Sequence, residues 1–355
     1  MDIFVPLGII VTIGSFFFNI IISAALARHS RHLKHSESFY SLCLCVIALS
    51  ISSIILLRQV FGNLDPLYGV IVSLTAGIVF LFFIVVNIIH YLITRNSDDL
   101  NQKENDFSDR ETIHHETIRK VFHICLFFAI IALLFIGYIV IKALYFQGSG
   151  LPGLQEAYEN YWGSSDGLGM QNVNLEFGQS INLMFFFLLN TIFIMSECSR
   201  LDKWFYFPLR KMAIIGIREK EKDTVASYVY FTSGMVFAAT FIYPIPLFSI
   251  IGIMCFADTA ASLVGRKYGN HKILFNRKKT WEGSIGGIAV CFLVTVLLVG
   301  PIWGLMATLV FFVIDTTTPT LPISDNIGIP IAVAGIYLLL SILQVPMYSI
   351  IFSFL

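Results

Sequence analysis

Residues 256–287 read FADTAASLVGRKYGNHKILFNRKKTWEGSIGG. The apolar segment leading into this stretch, Phe248 to Val264, carries one carboxylate, Asp258, near its end. The next residues read as a loop holding Gly265, Arg266, Lys267, Gly269, Lys272, Arg277, Lys278 and Lys279, which closes on Glu282 before a second apolar segment. A charged side chain at the bilayer centre costs about 2.5–3.5 kcal/mol on insertion scales, so an acid at that depth points to function. A carboxylate facing six cations and several glycines suits a metal-bound polyphosphate. The acid would hold a divalent cation, the cations would neutralise phosphate oxygens, and the glycines would let backbone N–H groups approach closely. A basic loop between two spans also serves as a plain topology determinant. That reading accounts for the cations but not for their order: an acid in the span, glycine-spaced cations, then Lys279-Thr280-Trp281-Glu282-Gly283 at the next helix start.

Outward from this stretch the chain is strongly apolar. Of its 355 residues, 56% are hydrophobic and 13% charged, with a mean hydropathy of +0.79, against roughly 25% charged in soluble domains. This composition identifies an integral membrane protein and excludes the soluble enzyme classes. The formal net charge is zero, and no nucleic-acid partner is expected. Cys43, Cys45, Cys125, Cys198, Cys255 and Cys291 lie in or beside apolar segments without paired spacing, so they read as small buried hydrophobes. Met1-Asp2-Ile3 offers no basic n-region before its apolar run, which argues against a cleaved signal or transit peptide.

The expected fold is an all-α polytopic membrane protein of about ten transmembrane helices. The candidate spans are Ile3–Leu26, Phe39–Leu57, Tyr68–Ile93, Val121–Ala143, Ser180–Met195, Tyr228–Tyr243, Pro246–Val264, Ile285–Val299, Trp303–Ile314 and Ile327–Leu343. Of the 23 Lys and Arg, all but Arg58 and Lys142 fall in alternate loops, so the positive-inside rule places those loops in the cytoplasm and both termini outside. Residues 94–117 read as a polar cytoplasmic linker. They divide an accessory bundle, 1–93, from a catalytic core, 118–355, with a polar site expected at the cytoplasmic end of the C-terminal helices.

Further polar elements enter the core spans. Arg119 and His123 stand four apart at the start of the fourth, on one helix face. Glu197 and Arg200 stand three apart at the end of the fifth, where an intrahelical ion pair is the plain structural reading. The run Arg218-Glu219-Lys220-Glu221-Lys222-Asp223 comes after them. In Ser324-Asp325-Asn326, ahead of Pro330, the carboxylate and amide oxygens suit Mg²⁺ or the taking of a proton from an alcohol. Ser324 and Asp325 are also good helix caps.

These residues resemble the CTP-dependent lipid kinases (dolichol, polyprenol, phytol and diacylglycerol kinases), a family related to CDP-diacylglycerol synthases. The pattern D-T-x-A-S-x-x-G-R-x-x-G is matched by Asp258, Thr259, Ala261, Ser262, Gly265, Arg266 and Gly269, and K-T-x-E-G-S by Lys279, Thr280, Glu282, Gly283 and Ser284. R-K-x-x-H at Arg119, Lys120 and His123, E-x-x-R at Glu197 and Arg200, and D-N-x-x-x-P at Asp325, Asn326 and Pro330 are similar to further elements of that family. The chain departs from it in offering Asp315 where such kinases carry a Glu, so the resemblance gives Asp315 no role.

The resemblance implies CTP-dependent phosphorylation of an isoprenoid alcohol, dolichol or polyprenol first, with Mg²⁺ as cofactor and the lipid alcohol and CTP as partners. It implies Asp258, Glu282 and Asp325 as catalytic groups and Asp258, Asp325 and Asn326 as metal ligands. Gly265, Arg266, Lys267, Gly269, Lys279, Thr280, Arg119 and His123 would contact nucleotide or phosphate, with Glu197 and Arg200 in support. The expected setting is the endoplasmic reticulum in a eukaryote or the plasma membrane in a prokaryote. Diacylglycerol or phytol kinase, and a cytidylyltransferase acting on phosphatidate, remain alternatives, because Lys279–Gly287 also looks like the synthases. Against the last, the K-D-x-x-x-x-x-P-G-H-G-G-x-x-D-R tail of those synthases is missing from this sequence. A non-catalytic transporter lined by Asp258 would account for the buried charge but not for the basic segment.

Overall fold

The computed structural model describes residues 4–62, 84–92, 175–201, 221–318 and 320–350, with isolated helical positions at 81, 121, 124–125, 127–128 and 132 and a single residue at 217. Packing divides the chain into two units, Met1–Glu116 with Met184–Phe237, and Thr117–Leu183 with Ala238–Leu355. The described residues are mostly helical. Five of their helices are long and apolar enough to cross a membrane, namely Ile13–His32, Ser36–Ile55, Pro244–Tyr268, Trp281–Val299 and Asp325–Ile342, and Pro301–Thr317 is a shorter apolar helix. The expected spans at 68–93 and 121–143 fall largely outside the described residues, as does the linker 94–117.

In the first unit, α1 (Phe4–His32) and α2 (Ser36–Gly62) form a helical hairpin, turned at Lys34 with φ +56°. Two further helices belong with them in part, α3 (Leu175–Leu201) and α4 (Ser227–Phe241). Asn19 Nδ2 donates to Thr191 Oγ1 at 2.8 Å, and Phe16 stacks on Phe187 at 3.7 Å between centroids, joining α1 to α3. Ser38 and Tyr230 share a 2.7 Å hydroxyl contact that joins α2 to α4. Buried side-chain hydrogen bonds of this kind link helices where lipid offers no hydrophobic drive to do so.

The second unit carries the remaining elements. Helix α5 (Pro244–Gly252) starts on prolines, which suit a first turn that needs no N–H donors, and runs into a π-helical turn, Ile253–Ala257, and then α6 (Asp258–Tyr268). A two-stranded antiparallel hairpin comes next, β1 (Lys272–Ile273) and β2 (Asn276–Thr280), before α7 (Trp281–Val299), α8 (Pro301–Thr317) and α9 (Asp325–Ile342). The stretch read as a loop from Gly265 onward is therefore helix as far as Tyr268 and hairpin thereafter. Within Leu263–Tyr268 only Gly265 disfavours a helix, by about 1 kcal/mol, and the helix runs on to Gly269 and Asn270.

Helices α7 and α8 are antiparallel and in register. Thr295 Oγ1 lies 3.3 Å from the Gly304 carbonyl, Thr308 Oγ1 is 3.7 Å from Cys291 Sγ, and Ser284 Oγ is 3.4 Å from Asp315 Oδ2. Gly287 faces Phe311, whose ring would stand 3.0 Å from an added Cβ. The spacing of Ser284, Gly287, Cys291 and Thr295 puts small residues on one α7 face, and that face sets how far along α8 Asp315 sits. The turn between the helices is Gly300 alone, at φ +87°, where a side chain would also meet the Tyr348 carbonyl at 2.5 Å. The tail after Pro346 packs back here, with Ile350 N donating to the Leu297 carbonyl at 3.1 Å. Ser249 and Tyr337, hydroxyls 2.7 Å apart, join α5 to α9.

Candidate active site

Three carboxylates from three helices meet in the second unit. Asp258 opens α6, directly after the π-helical turn; Asp315 lies near the end of α8; Asp325 opens α9. One oxygen of each lies within 4.8 Å of the others. Asp315 is 1% exposed, whereas Asp258 and Asp325 are partly open. Lys279, from β2, places Nζ 2.5 Å from Asp315 Oδ1 and 3.9 Å from Asp325 Oδ2. Burial alone would pull the Lys279 ammonium down, but the carboxylates of Asp325, Asp315 and Asp258 outweigh it and hold Lys279 above the ordinary lysine range.

Local structure explains each placement. π-helical turns occur often at functional sites because the extra residue re-aims the next side chains, and Asp258 is the first of them. Thr259 Oγ1 donates to the Cys255 carbonyl at 2.6 Å within that turn. Asn276 Nδ2 donates to the Thr316 carbonyl at 2.6 Å, tying the hairpin to the end of α8 so that Lys279 reaches Asp315. Ser324 caps α9 by accepting from Asn326 N at 3.3 Å, as its sequence position suggests, which leaves the Asp325 carboxylate for the cluster. Asn326 Nδ2 donates to Asp325 Oδ1 at 3.2 Å. Pro330, inside α9, has no N–H for the Asn326 carbonyl, which frees that oxygen from the helical ladder.

The donor set fits a hard divalent cation. Carboxylate, carbonyl and amide oxygens are the ligands that Mg²⁺, Mn²⁺ and Ca²⁺ take. With all three carboxylates ionised against one ammonium, these four residues carry two negative charges, which one such divalent cation would balance.

Asp258, Lys279 and Asp325 are thus brought together, and Asp315, to which the sequence reading gave no role, joins them. The rule that singled out Asp258, an acid within an apolar helix, applies equally to Asp315. Glu282 has a different neighbour: His271 Nδ1 lies 2.5 Å from its Oε1, and His271 N donates to the same carboxylate at 3.1 Å.

The glycines and Thr280 have packing roles. A Cβ on Gly283 would lie 2.7 Å from the Ala261 carbonyl and 2.8 Å from Gly265 Cα, and one on Gly269 would lie 2.1 Å from the Gly265 carbonyl. Gly265 and Gly283 let α6 and α7 touch backbone to backbone, and Gly269 fits the end of α6 closely against the Thr280 side chain of the hairpin. Thr280 is the N-cap of α7, its Oγ1 accepting from Gly283 N at 3.3 Å. Arg266 and Lys267 are exposed on the last turn of α6.

Glu197 and Arg200 belong to the first unit and form a buried polar group there. The two side chains are 0% and 6% exposed and make the intrahelical ion pair expected from their spacing. Glu197 Oε1 also accepts from Ala226 N at 2.8 Å and Oε2 from the Tyr228 hydroxyl, while Arg200 donates to the Lys222 and Thr224 carbonyls. The pair therefore clamps residues 222–228 onto α3. Arg119, His123 and residues 218–220 lie outside the described residues.

Comparison with known proteins gives partial matches. The chain is 28% identical to phytol kinase 1, chloroplastic, of Arabidopsis thaliana over 131 residues, covering 32% of this chain and 43% of that protein. It is 35% identical to a phytol kinase of Synechocystis over 74 residues, covering 20% of this chain and 32% of that protein. It is 28% identical to a probable phytol kinase 2, chloroplastic, of Glycine max over 143 residues, covering 34% and 49%. The chain thus spans less than half the length of each of these relatives. No family model and no solved structure matches it.

Proposed function

We propose that the chain is a membrane-embedded kinase that moves the terminal phosphoryl group of CTP to the hydroxyl of an isoprenoid alcohol. The observation that carries the reading is the meeting of Asp258, Asp315 and Asp325 around Lys279, in a chain similar over part of its length to proteins named phytol kinases. A prenyl alcohol of the phytol kind is the first substrate to test, with dolichol and polyprenol next. CTP as donor is drawn from the family resemblance.

A divalent cation held by the three carboxylates, with oxygens of Asn326 beside them, would supply charge for the phosphate oxygens and orient the nucleotide. Lys279 balances the charge that spreads over the transferring group, and the exposed Arg266 and Lys267 stand as outer phosphate contacts. The alcohol oxygen attacks the terminal phosphorus, the bond from that phosphorus to its bridging oxygen breaks, and CDP leaves. The hydroxyl proton passes to a carboxylate. Asp325 suits this role better than Glu282, which His271 already engages. The lipid enters from the bilayer, where each methylene contributes about 0.8 kcal/mol of partitioning, and the nucleotide enters from the cytoplasm, a reading supported by the positive-inside distribution of Lys and Arg in the sequence.

The test is transfer of label. Membranes holding the protein receive CTP labelled at the alpha or the gamma phosphate, with phytol, polyprenol, diacylglycerol or phosphatidate, and the lipid is extracted. Gamma label in a prenyl phosphate supports the proposal, and gamma label only in diacylglycerol moves the substrate. Alpha label in lipid replaces the kinase with a cytidylyltransferase. No label from intact protein leaves the transporter.

A further inference from the structure

The hairpin between α6 and α7 ends in residues that turn chemistry does not explain. Ile273 pairs with Asn276, so Leu274 and Phe275 are the two connecting residues. Such two-residue connections are dominated by Asn, Asp and Gly, whose backbones accept positive φ. Neither Leu274 nor Phe275 has a positive φ, and their side chains are 95% and 58% exposed. An isolated exposed leucine needs no account, but here two large apolar side chains are adjacent at the tip of a short ribbon. Lys272, Arg277 and Lys278 are exposed on its strands. From Thr259 to Trp281 the sequence contains six cations and no acid.

The position of the ribbon limits what it can touch. Its two ends continue into helices apolar enough to cross a membrane, and four residues of strand from Thr280 reach only about 13 Å. The tip therefore stays near the polar layer of the bilayer. An apolar tip flanked by cations is complementary to one surface at that level, a leaflet with anionic headgroups over acyl chains. The base of the ribbon carries exposed Tyr268 and Trp281, 57% and 42% accessible, the aromatic types enriched at membrane interfaces.

We propose that the 272–280 hairpin is a membrane-surface anchor: Leu274 and Phe275 insert among the acyl chains of an anionic leaflet, while Lys272, Arg277 and Lys278 contact its headgroups. This holds whatever reaction the carboxylate cluster supports. It gives the basic segment a second task, fixing the height of β2, and with it Lys279, against the bilayer.

The experiment uses the full chain reconstituted in vesicles of phosphatidylcholine with or without phosphatidylglycerol, and the same vesicles with bromine on the acyl chains. Phe275→Trp adds one fluorophore to the four native tryptophans, whose signal in the parent protein is subtracted; Leu274→Trp repeats the measurement should the first variant fail to fold. The added emission is expected to be blue-shifted and to lose most of its intensity to bromine when phosphatidylglycerol is present. Reversal of Lys272, Arg277 and Lys278 to Glu is expected to abolish that dependence on phosphatidylglycerol. Emission typical of water with no quenching overturns the proposal. So does blue-shifted emission without quenching, which would mean that the tip is covered by protein, a second copy of the chain included.

Discussion

At the residue scale the proposed chemistry rests on charge at three positions. Asp258→Asn, Asp315→Asn and Asp325→Asn each keep the shape of the side chain and remove its ionisation, and each is expected to lower turnover by at least about 100-fold, the lower range for losing a transition-state charge contact or a base. Glu282→Gln should cost less than about tenfold, since its partner is His271 rather than the cluster. Label transfer by membranes with matched amounts of inserted protein decides. Near-normal turnover by Asp315→Asn would remove it from the site. Lys279 makes a pH prediction. Its folded value is raised, so its contribution to stability is complete below the ordinary value of about 10.4 and fades only as pH rises through the folded value. Thermal unfolding of the parent in detergent and of Lys279→Arg, which keeps a cation at every pH, should therefore differ by a constant amount from about pH 6 to 9. A difference that changes steadily as pH rises toward 9 would mean that Lys279 is not held charged by the carboxylates.

At the element scale, α6 and α7 approach so closely that glycine is required at the crossing. Gly283→Ala would push a methyl to 2.7 Å from the Ala261 carbonyl, a backbone atom that cannot swing aside, whereas Gly335→Ala meets nothing within 4 Å. The first should destabilise by about 1–3 kcal/mol. The second should be neutral or slightly stabilising, because alanine is the better helix former. Thermal unfolding of the two variants checks this. The same crossing shows what could be read in advance. Asp258 stands out in the sequence because charge is rare in apolar surroundings, whereas Lys279 and Asp325 stand out by the short polar patterns that open the next helices. Asp315 reaches them through the α7/α8 register, set by Ser284, Gly287, Cys291 and Thr295, whose spacing is visible only once α8 is known to be the partner. Gly265 and Gly269 were expected to let backbone N–H groups approach phosphate; their close packing could not be read in advance, because the same residue serves for close approach to a ligand or to a neighbouring helix. The hairpin was hidden by its unusual turn residues, and no residue pattern marks the π-helical turn.

At the scale of the whole molecule, α6, α8 and α9 each bring one acid to a common point, so an ion bound there would cross-link helices distant in sequence. Ligand that binds only the folded state stabilises it by about 2.7 kcal/mol at 100 times its Kd, a sizeable fraction of the roughly 5–15 kcal/mol that holds a typical domain. The purified protein should therefore melt at higher temperature in Mg²⁺ or Mn²⁺ than in EDTA, and Asp258→Asn should lose most of that rise. An unchanged melting point in the parent protein would argue against a resident ion.

The wide turn at Ile253–Ala257 has a consequence for inheritance. A regular helix advances about 100° per residue, so the surplus residue sets the phase of Asp258 relative to α5. Loss of a single codon there would tighten the coil, leave both helices and all three aspartates in place, and rotate one aspartate out of the trio. The centre depends on spacing as much as on identity, so a descendant could fall silent with every motif intact.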